Sequence, residues 1–323
     1  MYMKIRKLAL ISASLAILAA IIWLLNPARL LQTLSGANPG LVAAAFLVSN
    51  CALFFRVMKW KALLRGVSFR ELAPIQFFGI SVSNLTPGKI GEPVKSMALK
   101  MEKGIPVSSS LFSVIWERIM DVIVMMIFGI TGFYFIAPGA YMPAIVTALA
   151  IFSALIILLL AVMYREKFGR KAFAFLRRFP VVNRIGDGFI SNFYSGASIP
   201  KVSLASCFFW TFLAWLSDGI VFYLVFISLV PSVPGLSMPL VFTCVLSISV
   251  LVGLLSSLPG GVGGTEAAMI LILGAIGMPA EIAGSTVLLG RAFTFGYSLI
   301  PGYLSFLYLG KKIDIGELLK GVA

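Results

Sequence analysis

Apolar runs of membrane-spanning length recur along this chain, at Leu8–Leu25, Val107–Ala137, Ala144–Tyr164, Val202–Val230 and Glu281–Leu309. A spanning helix needs about 20 such residues. Hydrocarbon offers no water to unpaired backbone groups, so whatever crosses it must close its own hydrogen bonds. The 323 residues are 60% hydrophobic and 12% charged, with a mean hydropathy of +1.02. This is the balance of an all-α polytopic membrane protein with a single membrane domain.

The net charge of +14 is spread over short stretches between apolar runs. It therefore reads as a topology signal rather than a nucleic-acid footprint, and no nucleic-acid partner is expected. Lys4, Arg6 and Lys7 place the N-terminus in the cytoplasm. Arg56, Lys59, Lys61, Arg65 and Arg70, then Lys95, Lys100 and Lys103, then the stretch from Arg165 to Lys201, and finally Lys311 and Lys312 mark later cytoplasmic segments. Asn26–Gly40, Pro138–Pro143, Pro231–Pro239 and Gly277–Pro279 become outer loops. The chain is thus expected to be a multi-pass cell-membrane protein with both termini cytoplasmic. It contains no histidine, and Cys51, Cys207 and Cys244 lie in apolar segments, so no metal, cofactor or disulfide framework is expected.

Two Pro-Gly-rich motifs break apolar regions: Asn84-Leu-Thr-Pro87-Gly88-Lys89-Ile-Gly91-Glu92-Pro93 and Ser257-Leu-Pro259-Gly260-Gly261-Val-Gly263-Gly-Thr265-Glu266. Broken backbone at membrane depth must line a cavity or be buried in protein. Leu72–Ser83 is too short to span, and basic residues flank the motif on both sides, so the first motif reads as the tip of a re-entrant hairpin entered from the cytoplasm. Leu240–Leu258 and Thr265–Ile276 form the second hairpin, although Leu240–Leu258 is itself long enough to span. Arg118 follows Pro87 by 31 positions and Arg291 follows Pro259 by 32. With Leu41 to about Phe55 as a further crossing beside the five runs above, the expected architecture is an inverted-repeat helical bundle of six full spans and two re-entrant hairpins, a transporter-type arrangement. Residues 1–40 hold the first span and outer loop, 41–137 the first repeat, and 138–201 a connecting span and basic loop. Residues 202–310 hold the inverted repeat and 311–323 a tail.

Arginine inside a span persists where it has a partner or faces a polar cavity. Asp121 shares a helix face with Arg118, whereas the adjacent Glu117 projects elsewhere. Arg291 has no acid within a turn on its own helix, so Asp218, Glu266, Glu92 or a ligand must meet it. A half-helix N-terminus presents free N–H groups and a positive dipole end, suited to an anion such as a lipid phosphate. Lys89 adds charge there, Thr265 can cap the second half-helix, and Glu92 and Glu266 compete for the same field, either as caps of their own helices or as partners of the arginines. The candidate substrate-binding set is Asn84, Pro87, Gly88, Lys89, Gly91, Glu92, Arg118, Pro259, Gly260, Gly261, Gly263, Thr265, Glu266 and Arg291, with Glu117, Asp121 and Asp218 as a supporting ion network.

Taken in order, Asn84–Glu92, Glu117-Arg118-x-x-Asp121, Pro259–Glu266 and Arg291 resemble the lysylphosphatidylglycerol synthase transmembrane-region family, also described as flippase-like membrane proteins, over about residues 7–310. The resemblance implies a lipid translocation domain, which in fused relatives moves an aminoacylated phospholipid made by a soluble domain. This chain ends at Ala323 without room for a synthase domain, so a stand-alone member that does not aminoacylate lipid is expected. The implied partner is a membrane lipid with an anionic headgroup, of phospholipid or polyprenyl-phosphate type. A homo-oligomer and a separate lipid-modifying enzyme stay open as partners. Two alternatives stand beside translocation: a membrane transferase or hydrolase acting on a lipid phosphate, and a non-transporting scaffold.

Overall fold

A computed structural model of the chain describes residues 2–64, 66–86, 91–136, 142–176, 193–194, 199–230 and 238–313. Pro87, Gly88 and Lys89 of the first motif lie outside the described residues, as do Arg65 and most of the basic loop after residue 176.

Every secondary-structure element among the described residues is helical. We number them α1 (Tyr2–Leu24), α2 (Pro27–Ser35), α3 (Pro39–Leu63), α4 (Phe69–Leu85), α5 (Val94–Lys103), α6 (Val107–Ile136), α7 (Met142–Tyr164) and α8 (Glu166–Leu176). After the basic loop follow α9 (Lys201–Leu229), α10 (Met238–Leu255), α11 (Gly264–Ala275), α12 (Ala280–Arg291) and α13 (Leu299–Gly310). By length and apolarity α3, α9 and α10 qualify as membrane spans, and α1 with α2 counts as a fourth if the pair bent by 77° is one span. At a rise of about 1.5 Å per residue, the 30 residues of α6 reach roughly 45 Å, but Glu117, Arg118 and Asp121 interrupt its apolarity.

Three boundaries depart from the sequence expectation. The segment Asn26–Gly40, expected as an outer loop, contains α2, because Asn26 turns the chain at φ 60° and its Oδ1 accepts the Ala28 N–H, with Pro27 opening the helix. Asn is one of the few residues that enters this region at low cost, and Pro suits a first helical position. Helix α3 does not end at Phe55. Asn38 caps its start by accepting from Gly40 and Leu41, and no breaker intervenes before Leu64. Arg56 and Lys59 therefore lie within the helix rather than in a loop. Finally, the run expected as one span over Glu281–Leu309 is interrupted by a π-helical turn, Ala292–Gly296, immediately after Arg291. Such turns concentrate at functional sites.

Each Pro-Gly motif falls between two helices, the first between α4 and α5 and the second between α10 and α11. In the first, Glu71 closes the start of α4 by accepting the Ser68 N–H at 2.8 Å, and α5 stops at Gly104 in the left-handed conformation. In the second, α10 and α11 are joined through Ser256–Gly263, with Gly260 and Gly263 at φ 60° and 91°. A side chain bearing Cβ would be strained at either position.

Packing crosses between the halves. Helix α3 lies along α9 as the central pair, α4 packs on α13, and α10 packs on α6. Close approach is bought by small residues, as expected where lipid removes the hydrophobic drive between helices. A Cβ on Gly219 would collide with Thr243 across the α9–α10 contact, and one on Gly302 would collide with Ser81 across α13–α4. One apolar cluster joins α4, α5 and α13 through Leu72, Phe78, Leu99 and Leu309. Another joins α6, α9, α10 and α11 through Phe128, Phe222, Phe242 and Met269. The helices on either side of each motif are thereby held against the central pair, through Val57 and Trp60 of α3 and Phe222 of α9.

Candidate functional site

A polar cavity of about 100 Å³ lies between the two hairpin breaks, enough for a small charged group and a few waters. Asn84, Glu92, Arg118, Asp121, Asp218, Gly260, Gly261, Thr265 and Arg291 line it, so residues more than 200 positions apart in the sequence meet at one place.

Each Pro-Gly motif supplies a carboxylate, and Arg118 of α6 and Arg291 at the end of α12 supply the arginines. In the first half Glu92, in the turn before α5, accepts from Arg118 Nη2 at 2.5 Å, and the Nε of the same guanidinium contacts its second oxygen. Arg118 also lies 3.1 Å from Asp121, one turn further along α6. In the second half Glu266 Oε1 accepts from Arg291 Nε at 2.5 Å, while its Oε2 accepts the Gly263 N–H at 2.6 Å. Arg291 donates a further bond to the Gly260 carbonyl at 3.2 Å and stacks on Phe295, with its guanidinium 4.8 Å from the ring centroid. The partner of Arg291 is thus Glu266, chosen from the three acids the sequence offered. Glu266 is at once cap and ion partner, because its two oxygens point to different donors. Thr265 is not the cap; Gly263 takes that position, and Thr265 is buried in the first turn of α11.

Three of the basic residues assigned to cytoplasmic segments belong to this site. Arg56 pairs with Asp218 of α9. Lys59, 2% exposed, donates to both oxygens of Asp121 at 2.8 Å and lies 3.3 Å from Glu117. Lys95, fully buried, pairs with Glu117, lies 3.3 Å from Glu92 and reaches Gln76 Oε1 at 3.1 Å. Trp215 donates its indole N–H to Asp121 at 3.1 Å, and Gln76 donates to Glu117 at 2.9 Å. Arg56, Lys59, Lys95, Arg118 and Arg291 therefore face Glu92, Glu117, Asp121, Asp218 and Glu266, and the network is electrically balanced.

The candidate residues divide by position. Glu117 is fully buried beneath the cavity wall and holds Lys95 and Lys59 in place. Pro259 and Gly263 lie in the second break without lining the cavity. A Cβ on Gly263 would meet Ile17 of α1 at 2.8 Å, and one on Gly91 would meet Thr86 and Val82 at 2.8–2.9 Å. Both glycines are thus closely packed against neighbouring side chains, with no room for a Cβ. Gly260 and Gly261 are the glycines of the motif that border the cavity. Sequence reasoning missed Arg56, Lys59, Lys95 and Gln76. A signal existed for Lys95, three positions after Glu92, and for Lys59, three after Arg56, both spacings that share a helix face.

Comparison with known proteins places the site in context. The family described as Lysylphosphatidylglycerol synthase TM region matches residues 11–302. A UPF0104 membrane protein of Methanothermobacter thermautotrophicus is 26% identical, covering 93% of this chain and 92% of its own length. A UPF0104 membrane protein of Pyrococcus horikoshii is also 26% identical, covering 92% and 95%. A shorter similarity, 29% identical over 31% of this chain and 16% of the relative, is to the Glycosyltransferase AglD of Haloferax volcanii.

Proposed function

The chain belongs to the lysylphosphatidylglycerol synthase transmembrane-region family, and from that premise we propose that it translocates a lipid with a phosphate-bearing headgroup, of phospholipid or polyprenyl-phosphate type, between the leaflets of the cell membrane without altering it chemically. The observation that carries this reading is the pair of carboxylate–arginine contacts, Glu92–Arg118 and Glu266–Arg291, repeated 26 and 25 positions apart and facing one cavity. In each, a guanidinium fork is occupied by a carboxylate that a phosphate can replace with similar geometry and stronger charge. A headgroup entering the balanced network displaces Glu92 or Glu266, so the empty and loaded states differ in which anion each arginine holds.

The same repetition supports an inverted repeat. Helices α3, α4, α5 and α6 correspond to α9, α10, α11 and α12–α13, and the reciprocal packing of α4 on α13 and α10 on α6 is what two interlocked halves require. In this arrangement six segments cross the membrane and the two hairpins re-enter it, with both termini cytoplasmic. Unwound backbone at Ser256–Gly263 is tolerated at depth because it lines the cavity.

Reconstitution of the full chain into proteoliposomes tests the function. Leaflet-resolved assays with fluorescent phosphatidylglycerol and with a polyprenyl phosphate, followed by mass analysis of the recovered lipid, should show transfer with unchanged mass. A changed mass means a lipid-modifying enzyme. Absence of transfer for both lipid classes, with protein properly inserted, removes the translocation reading.

A further inference from the structure

A second, mostly apolar hollow adjoins the polar cavity. It holds about 550 Å³, within the range of about 300–1,000 Å³ typical of small-molecule sites. Ile115, Ile119 and Val122 of α6 and Leu155, Ile156 and Leu159 of α7 form its walls. The two spaces adjoin, since Glu92, Arg118, Asp121, Trp215 and Leu254 border both. Arg118 stands at the junction with its side chain 34% exposed, whereas Arg291 is 13% exposed. Leu155 and Leu159 are themselves exposed on the outer surface of the bundle, at 47% and 42%. A charged chamber is therefore flanked by an apolar space, the α6–α7 channel, whose far wall at Leu155 and Leu159 is exposed on the surface of the bundle.

The related seam on the other side is closed. An apolar groove between α4 and α13, lined by Phe78, Val82, Leu85, Leu299, Tyr303 and Phe306 among others, shares no lining residue with the polar cavity. Between them stand two hydrogen bonds, Ser81 Oγ to the Ser298 carbonyl at 3.3 Å and Asn84 Nδ2 to Ser298 Oγ at 3.1 Å. Gly302 lies so close to Ser81 that no side chain fits there.

We propose that the α6–α7 channel is the binding site for the apolar chain of the transported lipid, which leaves the polar cavity laterally past Arg118 while its phosphate stays at the arginines. This rests on the translocation reading above and adds to it the route of the chain. An amphiphile fits the junction because its charge change from phosphate to hydrocarbon falls at Arg118, whose guanidinium faces the carboxylates and whose surroundings toward α7 are Ile115, Ile119 and Leu155. Burying an apolar chain there gains little over bilayer, so the channel supplies a path and an orientation more than affinity.

The test uses the full chain in phosphatidylcholine nanodiscs and an alkyl phosphate carrying a photoreactive diazirine at the end of its tail. Cross-links should fall on α6 and α7, around Ile115, Ile119, Leu155 and Leu159, and excess inorganic phosphate should suppress them. Leu155→Trp, which fills the channel from its outer wall, should remove most of this labelling, and Leu299→Trp in the closed α4–α13 groove should leave it unchanged. The wild-type map needs no variant, so poor folding of Leu155→Trp leaves the result decisive. Phosphate-suppressible labelling on α4 and α13, or anywhere but α6 and α7, overturns the chain route while keeping the headgroup site. Labelling that phosphate does not suppress, or none at all, overturns both.

Discussion

Replacing Arg291 by lysine separates binding from folding at the best-defined contact of the site. Arg291 has three attachments: Nε to Glu266 at 2.5 Å, Nη2 to the Gly260 carbonyl at 3.2 Å, and its stack on Phe295. Lysine keeps the charge opposite Glu266, so it avoids the ~3–5 kcal/mol cost of leaving a buried charge unpaired. It gives up the carbonyl bond, worth about 0.5–1.5 kcal/mol, and most of the stacking, worth about 0.5–1 kcal/mol. The folded protein should therefore lose about 1–2.5 kcal/mol and remain extractable and monodisperse. A phosphate meeting this position loses its planar two-point partner, a charge-assisted contact of about 1.5–3 kcal/mol. At 1.4 kcal/mol per factor of ten, transport at limiting lipid should fall roughly tenfold to a hundredfold. Thermal unfolding in detergent and leaflet-resolved transport on the same preparation give the two numbers. Transport at the wild-type rate, or a loss that merely follows the loss of folded protein, refutes a headgroup role for Arg291.

Other consequences are as direct. With Cys51, Cys207 and Cys244 replaced, single cysteines at Lys61 and Lys103 should react with impermeant reagents only from the cytoplasm, and one at Met278 only from outside; outside labelling at Lys103 rejects the re-entrant hairpin. Gly263→Val forces a branched side chain into φ 91° and against Ile17, so it should reduce thermal stability in step with activity. Gly261→Ala, beside the cavity but also at positive φ, should cost less stability per unit of transport lost. Glu117→Gln takes from Lys95, fully buried, the nearer of its two carboxylates and leaves Glu92 at 3.3 Å, so it should destabilise by about 1–3 kcal/mol, read as a drop in unfolding temperature; a variant as stable as wild type shows that the Glu117 carboxylate is not holding α5 to α6.

The sequence exposed those charges that stand alone in apolar surroundings. Arg118, Asp121, Asp218 and Arg291 each interrupt a long hydrophobic run, where a charge is costly enough to demand a reason. The ends of α4 and α10 were legible for a related cause, since Pro and Gly punctuate helices strongly. Arg56, Lys59 and Lys95 were hidden by their neighbours. They sit at the ends of apolar runs beside Lys61, Lys100 and Lys103, and a rule that counts basic residues near membrane ends cannot tell a loop cation from one turned inward. What distinguishes them is a partner far away in sequence, 162 positions for Arg56 and Asp218 and 62 for Lys59 and Asp121. The bend at Asn26 carried a visible signal, Asn followed by Pro at a helix start, but the length of the preceding run drew attention to spanning instead. The π turn after Arg291 has no local signature, because it depends on how α12 and α13 are seated against α3, α4 and α9.

The direct measurement of the central claim is a cryo-EM map of the full chain in nanodiscs loaded with the lipid it moves. The phosphate should lie between Arg118 and Arg291 at hydrogen-bonding distance, with at least one of the contacts Glu92–Arg118 and Glu266–Arg291 opened to admit it. A headgroup seated outside the cavity while both carboxylate–arginine pairs remain closed would contradict it.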